Sequence, residues 1–187
     1  MRGAVAVRYT RVAMWLHWVI AALVVANLTI GLLRGPVPAL GALMPAHQAI
    51  GLTVLALTLV RIAWRLGHRP PPLPTEIPGW QRFASATVHA ALYLLLLAMP
   101  ATGWLLVSGG ERRPLTWFGL FPLPYLPATP AAADAGDAAH VVLGWLMLAL
   151  VALHVVAALY HRLVLRDGVL GRMAPALERE GAGRTSR

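Results

Sequence analysis

The chain has 187 residues, of which 58% are hydrophobic and 12% charged, with a mean hydropathy of +0.66 and a net charge of +9. A soluble domain of this length would carry about twice as many charged residues, so the composition argues against a soluble enzyme and indicates an integral membrane protein. The absence of cysteine excludes disulfides, iron–sulfur clusters and c-type haem attachment.

Four apolar segments are each long enough to cross a bilayer. We predict spans at about Val12–Leu33, His47–Leu66, Phe83–Val107 and Ala138–Leu165, none of which contains Asp or Glu. They use most of the chain, so residues 1–187 are predicted to form a single membrane domain, with a cytoplasmic tail at 168–187. The basic start of the first span suits a signal peptide, but its apolar length of about 22 residues favours a retained helix.

The connecting segments differ in character. The inner turn, residues 67–82, contains a proline-rich run that predicts a stiff extended connector. The outer loop, residues 108–137, is the longest: its first half is aromatic and apolar and is predicted to lie at the membrane interface or to cap the bundle. Its second half, residues 128–137, is small and polar and is predicted to remain loop.

Arginine supplies all 16 basic residues, and the predicted spans place 13 of them on one side of the membrane. Because positive residues concentrate in cytoplasmic loops, both termini are predicted to be cytoplasmic. The fold class is therefore all-α, a transmembrane four-helix bundle running up-down-up-down. Topology explains the net charge of +9 better than nucleic-acid binding does.

Two of the seven histidines, His140 and His154, lie fourteen residues apart on the last span. Fourteen residues is nearly four helical turns, so the two imidazoles face the same way, about 21 Å apart along the axis. Imidazoles inside a bundle are costly and indicate a functional site. One helix holding two of them at different depths predicts two stacked metal centres and a path for electrons.

The outer layer contains His47 and His140, on different spans. A b-type haem can be held by two axial imidazoles at equal depth on facing helices, and this pair meets that requirement. Each is followed four residues later by a glycine, Gly51 or Gly144, on the same helix face. Glycine there would leave room for a flat macrocycle, although ordinary small-residue helix packing is the alternative.

The inner layer has more histidines than one haem needs. His154 is favoured as one ligand because it shares a helix with His140, and His17 is the preferred partner. His89 is the alternative ligand, and it could instead handle a quinone or a proton, or simply pack. His161, at the inner rim, could contact a quinone or a haem propionate, or be solvated, and His68 is interpreted as a loop residue. Zinc or diiron centres fit less well, since the spans lack carboxylates and the histidines form two layers.

This pattern resembles the bacterial cytochrome b561 family of four-helix dihaem b proteins. The matching features cover nearly the whole chain, and the fourteen-residue spacing of two histidines in span four is the most specific. The others are, in chain order, Tyr9, Leu16-His17-Trp18, His47 with Gly51, His89 with Tyr93 and Pro100, Ser108-Gly109-Gly110, Trp117-Phe118-Gly119, Leu123-Pro124, and His140, Gly144, His154 and His161.

The resemblance implies two haem b groups in the inner membrane. One would be ligated by His17 with His154 and the other by His47 with His140. It also implies quinone exchange near the inner haem. One branch of the family oxidises periplasmic superoxide and passes the electron to ubiquinone, and this chain is similar to it in being a stand-alone unit of this length.

For superoxide as donor, Arg34, Arg112 and Arg113 offer a positive outer surface that could steer a small anion. The alternative is that Arg112 and Arg113 simply flank the interface. Two further interpretations stay open. The chain could be an electron adaptor that docks a periplasmic redox protein on the apolar stretch Trp117–Leu126, or a haem-free transporter or structural protein.

Overall fold

The computed structural model describes residues 8–68, 70–72, 77–110 and 114–175. Its elements are, in chain order, α1 (Arg11–Leu33), α2 (Pro38–Gly41), α3 (Met44–Gly67), α4 (Gly79–Gly109), β1 (Thr116–Trp117), β2 (Phe121–Pro122) and α5 (Pro130–Tyr160). A π-helical turn, His161–Leu165, continues α5, and a short 3₁₀ turn, Leu170–Arg172, follows it.

The four long helices, α1, α3, α4 and α5, form the predicted bundle, and each is long and apolar enough to cross a membrane. Helix α4 packs along α5 and against α3, and α1 packs along α3. Large apolar side chains point outwards: Leu94 and Val142 are 68% and 66% exposed. An apolar exterior of this extent suits lipid and would be a liability in water.

The bundle core is a small cluster at mid-depth. Ile20, Val24, Val54, Leu95 and Met147 are buried there, drawn from all four long helices. On α5, Met147 of this cluster lies midway between His140 and His154, so the cluster separates the outer histidine layer from the inner one.

Contacts at one end of the bundle confirm the alternating direction of the helices. The backbone N–H of Tyr9 donates to the carbonyl of Arg172 at 3.3 Å, and the indole of Trp18 donates to the carbonyl of Met173 at 3.0 Å. The guanidinium of Arg172 donates to the carbonyl of Pro72 in the α3–α4 connector. Both ends of the described chain and this connector therefore meet at the same face, which the arginine distribution predicts to be cytoplasmic.

All four long helices begin earlier than predicted, α5 and α4 by the largest margins. Residues 128–137 were expected to remain loop, but α5 begins at Pro130 because Thr129 caps it, its hydroxyl accepting the N–H of Ala132 at 3.3 Å, and Pro130 stands in the first turn. Proline is favoured at that position, where its missing N–H costs nothing. Helix α4 likewise begins at Gly79, inside the predicted inner turn.

The aromatic half of the outer loop forms a hairpin against α3. Strands β1 and β2 pair antiparallel, and the turn between them has positive φ at Phe118 and Gly119. The indole of Trp117 donates to the hydroxyl of Thr53 on α3 at 3.0 Å. The hairpin therefore rests on the outer end of the bundle, in agreement with the predicted cap.

Candidate functional site

The outer imidazoles meet as the sequence predicts. His47, in the first turn of α3, and His140, in α5, have ring centroids 6.0 Å apart. An imidazole nitrogen binds a metal at about 2 Å, so two imidazoles on opposite sides of one iron place their ring centroids about 6 Å apart. The observed separation therefore fits a single metal held between the two rings.

Hydrogen bonds fix the orientation of both rings. Nδ1 of His47 bonds to the carbonyl of Asn27 at 3.2 Å, and Nδ1 of His140 bonds to the carbonyl of Met99 at 3.0 Å. A carbonyl can only accept, so Nδ1 carries the proton in each ring and Nε2 keeps its lone pair. Metal-binding histidines are held in this way by a partner behind the ring.

Two glycines make these bonds possible, and the sequence reasoning missed both. Gly31 lies one turn after Asn27, and a Cβ there would stand 3.1 Å from Cε1 of His47. Gly103 lies one turn after Met99, and a Cβ there would stand 3.0 Å from Cε1 of His140. The same arrangement thus occurs twice: a glycine four residues after a carbonyl lets an imidazole from the neighbouring helix approach it.

A cavity of about 320 Å³ opens beside the outer pair, lined by His47 and His140. Each long helix contributes one glycine to its wall: Gly31, Gly51, Gly103 and Gly144. A Cβ at Gly51 or Gly144 would make only ordinary contacts with protein atoms, at 3.6 and 3.8 Å. Their small size therefore keeps space open in the cavity, where a flat ligand between the imidazoles would lie.

We predict that Gly103→Ala weakens ligand binding at the outer pair. The new methyl group would push on the imidazole of His140 and disturb its bond to the carbonyl of Met99, so a haem held by this pair, as the sequence predicts, should be retained roughly tenfold less well. Haem content after purification and dialysis measures this. Gly35→Ala is the control, because nothing lies within 4 Å of a Cβ at that position. Equal haem retention in the two variants would contradict the prediction.

The inner layer brings three imidazoles together. His154 of α5 faces His17 of α1 with ring centroids 6.3 Å apart, and His89 of α4 with ring centroids 5.2 Å apart. The first distance matches the separation of the outer pair. The predicted inner candidates are thus neighbours, and α5 carries one member of each layer, as the fourteen-residue spacing predicts.

The two inner alternatives differ in their hydrogen bonds. Nδ1 of His89 donates to the carbonyl of Ser85, one turn earlier on the same helix, at 2.6 Å. Within the described residues, neither His17 nor His154 has a hydrogen-bond partner, so both ring nitrogens of each are open. Distance favours the pair of His17 with His154, whereas the hydrogen bond of His89 resembles those of the outer imidazoles.

The remaining histidines lie at the inner end. His161 begins the π-helical turn, and its Nδ1 lies against a carboxylate oxygen of Asp167. Helical segments of this type often occur at functional sites. His68 stacks on Trp64, with ring centroids 3.9 Å apart, and is bound to the carbonyl of that residue. It lies in neither imidazole layer.

The predicted outer arginines are only partly placed. Arg34 is exposed and lines the outer cavity together with Asp137. Arg112 and Arg113 lie outside the described residues. Of the three arginines predicted to form the positive outer surface, the structure therefore describes Arg34, which lies at the cavity lined by His47 and His140.

Comparison with known proteins identifies relatives over most of the chain. Residues 8–176 match the family described as prokaryotic cytochrome b561. Cytochrome b561 homolog 2 of Escherichia coli (strain K12) is 36% identical over 129 residues, covering 68% of each chain. Cytochrome b562 of Cereibacter sphaeroides is 34% identical over 173 residues, covering 88% of this chain and 94% of that one. The probable superoxide oxidase CybB of Yersinia pestis is 30% identical over 175 residues, covering 90% and 96%.

Proposed function

Because this chain belongs to the prokaryotic cytochrome b561 family, we propose that it carries electrons across the membrane through two b-type haems to a quinone. The family implies b-type haem, electron transfer and a multi-pass position in the bacterial inner membrane. We propose, in addition, the number of haems, their ligands, and the electron donor and acceptor.

The proposal depends on one observation: two imidazole pairs lie at different depths, with ring centroids 6.0 and 6.3 Å apart, and share helix α5. His47 and His140 would hold the outer haem, and His17 and His154 the inner one. Haem supplies the one-electron chemistry, while the protein sets ligation, orientation and burial. Gly51 and Gly144 would leave space for the outer macrocycle.

Ubiquinone would accept the electrons near the inner layer. Reducing it to the quinol takes two electrons and two protons, and the protons must come from the cytoplasmic side. His161, hydrogen-bonded to Asp167 at the end of α5, can contact the quinone there and exchange a proton. His89, beside His154, is the second residue positioned to contact it.

Superoxide is the proposed donor. Its oxidation to dioxygen releases one electron, so two superoxide ions would be consumed for each quinone reduced. Two observations support this donor: Arg34 lines the outer cavity, and the Yersinia pestis relative carries the name probable superoxide oxidase. Arg34, with Arg112 and Arg113 from the sequence, would raise the local concentration of the anion.

The test is an assay of purified protein with enzymatically generated superoxide and a soluble ubiquinone analogue. We expect quinol to form in proportion to the superoxide consumed, with no other protein added. Haem reduction by superoxide in the absence of quinone would be a second readout. A preparation containing both haems that reduces no quinone would refute superoxide:ubiquinone activity while leaving haem binding intact.

Arg34→Gln should lower the superoxide rate about two- to tenfold at low ionic strength, because one charge that steers the anion is removed. The rate should also depend less steeply on salt. Arg82→Gln is the control, since Arg82 lies in the first turn of α4 at the opposite end of the bundle. Equal rates in both variants across the salt range would remove the steering role from Arg34.

A second function is favoured by the outer hairpin. Phe118, Leu120 and Phe121 are 47%, 72% and 50% exposed, beside the end of the bundle where electrons would enter. Such a surface suits a periplasmic redox protein, and the chain would then act as an electron adaptor. Loss of activity with a partner protein, but not with superoxide, on replacing Leu120 and Phe121 by Ser would favour this function.

A further inference from the structure

Arg61 is a cation placed well inside a membrane-spanning helix. It lies six residues before the end of α3 and is partly buried. Its Nε donates to the hydroxyl of Tyr93 on α4 at 2.8 Å, and its guanidinium carbon lies 5.8 Å from the centre of that ring. Arg65, one turn later, approaches the same ring at 5.9 Å. Tyr93 thus holds two guanidinium groups close together.

These cations are not neutralised by the protein that the structure describes. Across residues 8–68, 70–72, 77–110 and 114–175, no carboxylate lies within 4 Å of Arg61. A small cavity of about 120 Å³ lies beside it, and the described part of its wall contains Arg61, Arg65 and His68 but no Asp or Glu. A cation at membrane depth is costly and usually has an anionic partner, so the cavity is suited to an anion.

The depth of Arg61 indicates which anion would reach it. Tyr93, which accepts the hydrogen bond of Arg61, lies one turn after His89 on α4. Arg61 is therefore near the depth of the inner layer, where the inner haem is proposed to lie. A guanidinium binds a carboxylate through two parallel hydrogen bonds, and haem b carries two propionate carboxylates at its edge.

We propose that the cavity lined by Arg61 and Arg65 binds a propionate carboxylate of the inner haem, with Tyr93 fixing the guanidinium of Arg61. This inference rests on the proposed inner haem and adds an anchor for it on α3 and α4. The proposed ligands of that haem, His17 and His154, are on α1 and α5, so the anchor would connect all four long helices through one cofactor.

The same chemistry could come from a lipid phosphate. A headgroup phosphate lies at the membrane surface, and Arg65, which is exposed near the end of α3, could meet one there. Arg61 lies a full turn deeper, and its partner Tyr93 is one turn from His89, which favours a carboxylate from inside the bundle. The experiment must nevertheless separate the two sources.

The experiment uses purified haem-loaded protein whose haem is labelled with ¹³C at the propionate carboxylates. Redox-difference infrared spectra identify the carboxylate bands by their isotope shift, and a potentiometric titration gives the midpoint potential of each haem. The variants are Arg61→Gln, Arg61→Lys and Arg65→Gln, with Arg82→Gln as the matched control outside the cavity. Bound phospholipid is quantified as phosphate per chain.

In Arg61→Gln we expect the labelled bands to move and the potential of the inner haem to fall, because a nearby positive charge favours the reduced iron. Arg61→Lys should restore most of the potential, and Arg82→Gln should change neither readout. Unmoved labelled bands in Arg61→Gln, with both haems present, would overturn the inference. Loss of bound phosphate with unmoved bands would assign the cavity to a lipid instead.

Failure of the proposed function gives a different result. If the wild-type protein contains no inner haem, the bands of its propionates are absent from the wild-type spectrum before any variant is compared. If Arg61→Gln does not fold, Arg65→Gln and Arg61→Lys still test whether changing a cation of the cavity moves the infrared bands of the labelled carboxylates. Unmoved bands in both would also overturn the inference.

Discussion

Replacing His140 with alanine is expected to remove one haem and leave the other. The variant deletes one of the two imidazoles whose centroids lie 6.0 Å apart, and His47 alone would hold the macrocycle far more weakly. The inner pair shares helix α5 but lies near the opposite face of the membrane, so its haem should remain. Haem quantification per chain should give half the wild-type value.

Electron transfer should fail in the same variant. If electrons enter at the outer haem, quinone reduction by superoxide should fall to the background rate, although the inner haem can still be reduced by dithionite. His68→Ala is the matched control, because it removes an imidazole that stacks on Trp64 and lies in neither layer. It should keep the outer haem, because the cavity that His68 lines is at the inner end of the bundle.

Two outcomes would contradict this assignment. Retention of both haems in His140→Ala would exclude His140 as an axial ligand. Loss of both haems would mean either that the bundle does not assemble or that the two centres are not independent. Circular dichroism and gel filtration of the purified variant distinguish these, since a correctly folded bundle keeps its helical signal and elution volume.

Much of the architecture could be predicted because its signals are local. An apolar segment of bilayer length predicts a span, and alternating spans convert each histidine position into a depth. Depth alone places His47 opposite His140, and the two rings are neighbours in the structure. The start of α5 at Pro130 was missed because its first turns are small and polar, although Thr129 followed by proline is a helix-start pattern.

The supports behind the imidazoles could not be predicted in the same way. Gly31 and Gly103 lie on helices other than those of the histidines they accommodate, so no fixed sequence spacing connects each glycine to its ring. A search for glycines one turn after a histidine finds Gly51 and Gly144 instead. These two glycines line the cavity but do not touch the imidazole rings. The sequence identifies Arg61 only as one of the positive charges that set the membrane topology. Its contact with Tyr93 joins two helices across 32 residues of sequence, so no local pattern predicts it.

The second large effect concerns the inner ligand. His17→Ala is expected to reduce the haem content to one per chain, whereas His89→Ala should keep two. The ring centroids of His17 and His154 are 6.3 Å apart, which leaves room for an iron between them, while those of His89 and His154 are 5.2 Å apart. The shorter distance falls below the separation of about 6 Å that two axial imidazoles require.

The hydrogen bond of His89 does not outweigh this distance. Its partner, the carbonyl of Ser85, is one turn back on its own helix, so the bond satisfies the imidazole whether or not a metal is present. The outer imidazoles, in contrast, reach carbonyls on neighbouring helices, which positions them relative to each other. We therefore expect His89→Ala to change quinone kinetics while leaving both reduced haem absorption bands in place.

Haem quantification and reduced-minus-oxidised spectra of the two variants decide the question. The inner haem should disappear from His17→Ala, and its α-band should remain in His89→Ala. If instead His89→Ala contains one haem and His17→Ala contains two, α4 rather than α1 supplies the inner ligand. The macrocycle would then lie between α4 and α5, and the anchor proposed at Arg61 would need to be tested again from that position.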